Sequence, residues 1–544
     1  MPTKDCFISL LYPSEQSLRS HTMGNARPRI SAKCCDELGL SSLFALKGAR
    51  LSEFFTCDEE TIAFREEAFA ELSEKKELLS VLRDAAPLLS DILELRRLQE
   101  NEERDGGGAY LYSITEIELY VQCVKRLCEG LSPLRDALTS RAFKRLADTV
   151  IDFSEGEDYK ELIKGLERLT EHVHEVKSMT VGVNLDSQFR PTEAGVLSVN
   201  SEPFHSGKVL DKILRLSFKN DAMTCIAPLT PFGRGESDNR RDALSGAFRG
   251  AMEDIFRSSV KGWRSIVSVY VLENADFLLR LLPEIEFITK SAALLENLEA
   301  RGYALCRPTL APMAHKCFET VSLYNPSVAL RIDERIVPSD IAFDDNAHFY
   351  ILSGPNRGGK SVVTCAMGQA QALCQLGLGV PAESATISPV SSIFTHFPEG
   401  ADDTIDKGRL GEECARLREI FDQCDENSMV LLDESLSSTG SYEAAFIAAE
   451  VLSGFAARGC RGMFSTHLHE LAASIDDINE AVSSSSDVRV DTLVAGMEEG
   501  SRSFRILRRR PDGKSYARDI AAKYGLSFDM LKQKNHPETE DYTE

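Results

Sequence analysis

The chain has 544 residues, 43% apolar and 27% charged, with a formal net charge of −23 and a pI near 5.0. That length exceeds one hydrophobic core and predicts three or four domains, while the acidic balance argues against a nucleic-acid coat protein or a polybasic membrane binder and leaves room only for a local basic groove. No apolar stretch reaches the ~18 residues of a membrane span, the N-terminus lacks a secretion-signal layout, and the 14 Cys form no C-x-x-C pair, so they read as small core residues of a cytoplasmic protein.

Residues 1–50 carry little periodicity and are left as an N-terminal segment without an assigned fold. From about 51 to 178 apolar residues recur at helical spacing, as in the run from Thr61 to Glu100 and in Leu162, Leu166, Leu169, Val173 and Val176. The glycine-rich stretch around Gly106 reads as a loop between helices. Short strands are expected at 180–186, 195–201 and 223–232, followed by a polar linker and a second long helical region. Within that region Arg240, Arg241, Arg249, Arg257, Lys261 and Arg264 gather, a set that suits phosphate contacts but is interleaved with Asp242, Glu253 and Asp254. Beyond Arg307 strands alternate with helices, the pattern of a parallel sheet with crossovers. The boundaries expected are therefore 1–50, a helical region 51–310 with a strand-containing insert near 180–232, an α/β region 311–531, and a polar tail 532–544.

The chemistry concentrates in the α/β region. "AHFYIL" reads as a buried strand, "SVVTCAMGQAQALCQL" as a helix, and between them stands "SGPNRGGK". Gly354, Gly358 and Gly359 permit backbone angles that turn successive N–H groups toward one point, and the helix adds its positive end there. Lys360 brings an ammonium and Ser361 a hydroxyl for a metal. G-x-x-x-x-G-K-S is the phosphate-binding P-loop pattern. A second apolar run, Ser428–Leu432, ends in Asp433 and Glu434, an acidic pair suited to holding magnesium through its water shell and to polarising an attacking water. A third, "GMFS", ends in Thr466 and His467, whose neutral imidazole can hydrogen-bond a terminal phosphate or that water.

This trio with its flanks resembles the ATPase of the MutS family of DNA mismatch-repair proteins. The loop has the family's G-P-N-x-x-G-K-S form through Pro355 and Asn356, "FSTHLHEL" resembles its histidine segment, "FITKSAALLENLEARGYALCRPTL" its lever helix, and "GKSYARDIAAKYGLSFDML" its closing helix. The resemblance implies an α/β P-loop ATPase domain of the ABC type, with a parallel or mixed sheet, preceded by a mostly α-helical core and lever domain. It implies ATP and Mg2+ as cofactors, with Gly354, Pro355, Asn356, Arg357, Gly358, Gly359, Lys360, Ser361 and Val362 around the phosphates and Ser361 and Asp433 on the metal. Glu434, His467 and Lys360 take catalytic roles. Thr439 and Ser441 fall in the signature loop that reaches the partner subunit's nucleotide, which implies a homodimer through the ATPase domains.

Several positions depart from the family pattern. After D-E the family continues I-G-R-G-T-S-T-x-D-G, where this chain has "SLSSTGSYEA", with Gly440 in place of a serine and Glu443-Ala444 in place of Asp-Gly. Ile336 stands where an aromatic would meet the adenine. The F-x-E wedge of a mismatch reader has matches only at Phe64, Phe69, Phe153 and Phe397, in helical stretches or an ATPase loop, and the residues before the core are too few for the reading domain. The expectation is an ATP-driven, clamp-like protein of the mismatch-repair type that engages DNA through backbone or structure rather than a single mispair. The competing expectation is a nucleotide-gated dimeric scaffold that has lost DNA contact. A membrane-transport ATPase fits poorly, because L-S-G-G-Q is missing.

Overall fold

The apolar spacing between residues 59 and 174 folds as helices, Glu59–Glu74, Lys76–Asp105, Tyr110–Leu131, Arg141–Glu155 and Glu157–His174, in a computed structural model. It describes residues 7–46, 48–105, 110–174, 177–189, 191–202, 227–229, 276–344, 347–355, 358–398, 409–498, 501–511 and 526. By internal contacts the chain forms two units: Met1–Leu10 with Glu71–Thr289, and Leu11–Ala70 with Lys290–Glu544. The first fifty residues are thus not a unit of their own.

In the first unit the helix Arg141–Glu155 is strongly amphipathic and buries Phe143, Leu146, Val150, Ile151 and Phe153. Each such side chain contributes about 1.5–3 kcal/mol relative to exposure. Its N-cap is Ser140, whose hydroxyl accepts from Phe143 N. The same turn is gripped by the buried carboxylate of Glu71. Its Oε1 accepts from Thr139 N at 2.6 Å and Lys75 Nζ at 2.7 Å, and its Oε2 from Ser140 N at 3.0 Å. The expected strands form an antiparallel sheet β1 (Ser178–Leu185), β2 (Pro191–Asn200) and β3 (Ala227–Leu229). The basic set Arg240–Arg264 lies outside the described residues, as does the closing helix apart from Leu526.

The second unit holds two sheets. One contains β4 (Thr309–Leu310), β5 (Phe318–Leu323), β6 (Ser339–Ala342) and β8 (Ser384–Ile387) in the order β4-β8-β5-β6. The other contains β7 (Phe349–Ser353), β9 (Ser392–His396), β10 (Ser428–Asp433), β11 (Arg461–Ser465), β12 (Val490–Glu498) and β13 (Ser501–Arg508) in the order β13-β12-β7-β11-β10-β9. From β12 to β9 all pairs are parallel, and only β13 runs antiparallel, at the edge. β7, β10 and β11 are buried at every position, as expected for a parallel sheet covered on both faces. The fold is mixed α/β, and the antiparallel edge strand makes this sheet mixed, one of the two arrangements expected.

The helix Lys360–Leu376, which follows β7, is buried along nearly its whole length and carries a polar seam of fully buried glutamines. Gln369 Nε2 donates to Leu38 O at 2.7 Å, and Gln375 Nε2 donates to Thr56 O and Val390 O at 3.2 and 2.9 Å. Thr56 N returns a bond to Gln375 O at 3.1 Å. The segment 38–56 is therefore hydrogen-bonded onto the helix that starts at the glycine loop. Buried amides need such partners, so the glutamines fix where that segment sits. Arg461, fully buried in β11, donates to Ser388 O and Pro389 O at 2.8 and 2.9 Å and ties the two sheets together.

Candidate active site

The glycine loop leaves β7 and enters the helix Lys360–Leu376. Gly354 has φ of +144°, and a Cβ there would stand 2.7 Å from the Cβ of Ala495 on β12. Gly359 takes the left-handed N-cap position at φ +93°. Both positions need glycine, one for space and both for backbone angle. Asn356 and Arg357 lie outside the described residues.

Lys360 is 3% exposed. Its Nζ donates to Gly354 O at 3.1 Å and Pro355 O at 3.3 Å and stands 4.0 Å from Glu434 Oε1. Burial pushes the ammonium below the ordinary lysine range, against the pull of the Glu434 and Asp433 charges. Asp433 closes β10 opposite Ser465, the end of β11. It is buried, and the Ser465 and Ser361 hydroxyls hydrogen-bond it. Burial pushes its carboxyl above the usual range, and those hydroxyls and Lys360 oppose the shift. Ser361, Lys360, Asp433 and Glu434 are thus brought together at the carboxyl ends of neighbouring parallel strands, where open α/β sheets place their ligands.

Glu434 follows β10 with φ of +45°, and Leu436 has φ of +66°. A left-handed backbone in a residue with a Cβ costs roughly 1–2 kcal/mol. Such strain persists where the surroundings over-determine it. Here Glu434 N donates to Ser465 O at 2.9 Å, and Leu436 is fully buried. The Glu434 side chain remains about a third exposed, facing Lys360.

His467 stands just beyond β11. It is exposed, and the preceding Thr466 N is held by Leu352 O of β7 at 2.9 Å. That places His467 at the same ends of the strands, without a hydrogen bond to Lys360 or Glu434 in this structure. Thr439 and Ser441 flank Gly440, the N-cap of the helix Ser441–Ala457. The Thr439 hydroxyl donates to Glu443 Oε2 at 2.7 Å, so the glutamate that departs from the family pattern engages the loop's own threonine. Val362, in the first helical turn, accepts a bond on its carbonyl from Asn325 Nδ2 at 3.1 Å.

Sequence reasoning missed Ser465, whose bond to Asp433 depends on strand register. It also missed Ser353, whose buried hydroxyl has no hydrogen-bond partner among the described residues and directly precedes the loop. The groups present suit a phosphate and a hard divalent cation: the N-terminus of the helix Lys360–Leu376, one ammonium, and an adjoining hydroxyl and carboxylate. Among the described residues no cluster of three or more His, Cys, Asp or Glu could hold a metal. A cation at Ser361 and Asp433 would take most of its ligands from water and phosphate, which is how magnesium is commonly bound.

Residues 350–535, which include the acidic pair, His467 and all of the loop, match the family model of MutS domain V. The DNA mismatch repair protein MutS of Prochlorococcus marinus (strain MIT 9301) is 33% identical over 199 residues, covering 35% of this chain and 22% of that protein. Its counterpart in strain AS9601 is 25% identical over 371 residues, covering 64% and 38%. That of Ruegeria pomeroyi is 34% identical over 229 residues, covering 39% and 25%. The chain spans less than two-fifths of the length of these relatives. Domain V of the MutS family is thus matched across the whole site, and relatives of one name align with part of the chain.

Proposed function

We propose that this chain is a magnesium-dependent ATPase of the mismatch-repair type, with a P-loop domain of the ABC kind preceded by a helical core and lever, and that hydrolysis drives a clamp-like change on DNA. The observation that supports it is the grouping of Lys360, Glu434, Asp433 and Ser361 at the strand ends, with 4.0 Å between Lys360 Nζ and Glu434 Oε1. In this reading Gly354 to Val362, with Pro355, Asn356 and Arg357, surround the phosphates and Lys360 supplies a charge-assisted contact. Magnesium, when bound at Ser361 and Asp433, offsets the charge that develops on the transferred phosphoryl group. Glu434 accepts a proton from the attacking water, and His467 contacts the terminal phosphate. Thr439 and Ser441 reach the nucleotide of a second copy, making the working form a homodimer.

The DNA contact proposed is with backbone rather than a mispair. A mispair reader inserts an apolar wedge between base steps. The F-x-E phenyls at Phe64, Phe69 and Phe153 are at most 7% exposed. Glu66 is bonded to Arg307 at 2.9 Å, and Glu71 holds a helix N-terminus. Phe397, partly buried, follows β9. Phosphate release from purified chain supplied with ATP tests the enzyme reading: release that stops on chelating magnesium is expected, and no release with magnesium present overturns it. Competition among matched, mismatched and branched duplexes at two salt concentrations tests the DNA reading. Absence of binding at low salt transfers the proposal to a nucleotide-gated protein scaffold, which the net charge of −23 favours.

A further inference from the structure

Where the family pattern has Ile-Gly after D-E, this chain has Ser435-Leu436, and the glycine's replacement keeps a left-handed backbone, φ +66°. The residue that carries the candidate base is left-handed too, at φ +45°. Something must hold this turn. One support is the fully buried Leu436 side chain, packed in the core under the sheet. Another, beside the Glu434 N–Ser465 O bond, is a polar pair. His396, the last residue of β9, is paired with Leu432 of β10, so its ring stands beside the start of the turn. Its Nδ1 lies 2.7 Å from Ser435 Oγ, and Ser435 Oγ donates to His396 O at 3.2 Å. A serine has one hydroxyl hydrogen. With that hydrogen on the carbonyl, the 2.7 Å contact requires the Nδ1–H tautomer, in which the ring donates back. Both residues are 4% exposed.

We infer that His396 and Ser435 form a reciprocal clamp that holds the Glu434–Leu436 turn and so positions the Glu434 carboxylate, making His396 a positioning residue for the hydrolysis proposed above. The inference rests on that reading for its catalytic part only. The clamp closes a loop between two neighbouring strand ends, and Glu434 is the residue between the pair and β10. The two bonds of the clamp involve neither the phosphate loop, Lys360 nor Asp433. Its loss should therefore change turnover and leave nucleotide binding alone.

The test compares wild type with His396→Ala, Ser435→Ala and His396→Asn, the last of which keeps a donor near the Nδ1 position. Expected for both alanine variants is a fall in kcat of about tenfold or more, the scale on which misplacement of a reacting group acts, with KM and ATP affinity within about twofold. His396→Asn should recover much of the rate. In parallel, amide exchange of the peptide covering Leu432–Leu436 should quicken in both alanine variants. Ser435→Ala removes only a hydroxyl and keeps the test alive if His396→Ala fails to fold. Unchanged exchange overturns the clamp. Quickened exchange with unchanged kcat overturns its role in positioning Glu434, and so does a rise in KM matching the loss of rate. If wild type releases no phosphate, the enzyme reading has failed, and the exchange data still decide whether the clamp exists.

Discussion

Lys360 shows how far a single residue's chemistry was readable in advance. Its place after Gly359 and before a helical run is a local pattern, contiguous in the chain. The structure adds what spacing cannot: the ammonium is buried against two loop carbonyls and faces Glu434. Lys360→Ala should therefore weaken ATP binding by an order of magnitude or more, since charge-assisted bonds contribute about 1.5–3 kcal/mol. Titration calorimetry with ATP checks this, and unchanged affinity removes Lys360 from the binding role. Ser465 and the His396–Ser435 pair were not legible, although each touches the acidic pair or the turn beside it. Their partners are brought in by strand register across separations of 30 to 40 residues, and an isolated Ser or His in an apolar strand carries no signal of its own. The changed residues Ser435 and Leu436 were visible as departures from the family pattern, but the left-handed turn they occupy was not.

At the scale of elements, long helices and continuous apolar strands were legible because their periodicity extends over many residues. The first fifty residues were not. Their helices, Glu15–Thr22, Ala32–Glu37, Leu40–Phe44 and Gly48–Leu51, run only four to eight residues, too short to establish a period. The caps Ser14 and Ser31 were the available clue. Glu71 illustrates a sequence motif absorbed by structure: the glutamate of one F-x-E match caps the helix Arg141–Glu155. Burial alone would raise its pKa, but hydrogen bonds from Lys75, Ser140 and Thr139 outweigh that and hold it at about 2, below the ordinary 4.5. The folded value is depressed, so the stabilisation is fully present above pH 4.5 and is lost as pH falls toward 2. Glu71→Gln should cost roughly 1–3 kcal/mol at neutral pH. It should also flatten the acid dependence of stability between pH 4.5 and 2. Denaturant unfolding at pH 7 and pH 3 checks both, and equal losses at the two pH values would contradict the assignment.

For the whole molecule, the question is what a chain with net charge −23 does with DNA. Binding through phosphate contacts weakens steeply with salt and barely separates paired from mispaired duplex. Matched and single-mismatch duplexes should bind within roughly threefold of each other, less than one good base contact provides. A clear preference for one mispair at moderate salt would show a reading element that the buried phenyls do not supply. No helix among the described residues is long and apolar enough to cross a membrane. The central claim is that nucleotide turnover at the strand ends depends on Glu434. Single-turnover ATP hydrolysis by Glu434→Gln, run beside ATP binding on the same preparation, tests it most directly. The account predicts nearly intact binding with turnover slowed by about two to four orders of magnitude, the size of general-base assistance; wild-type turnover in the variant would contradict it.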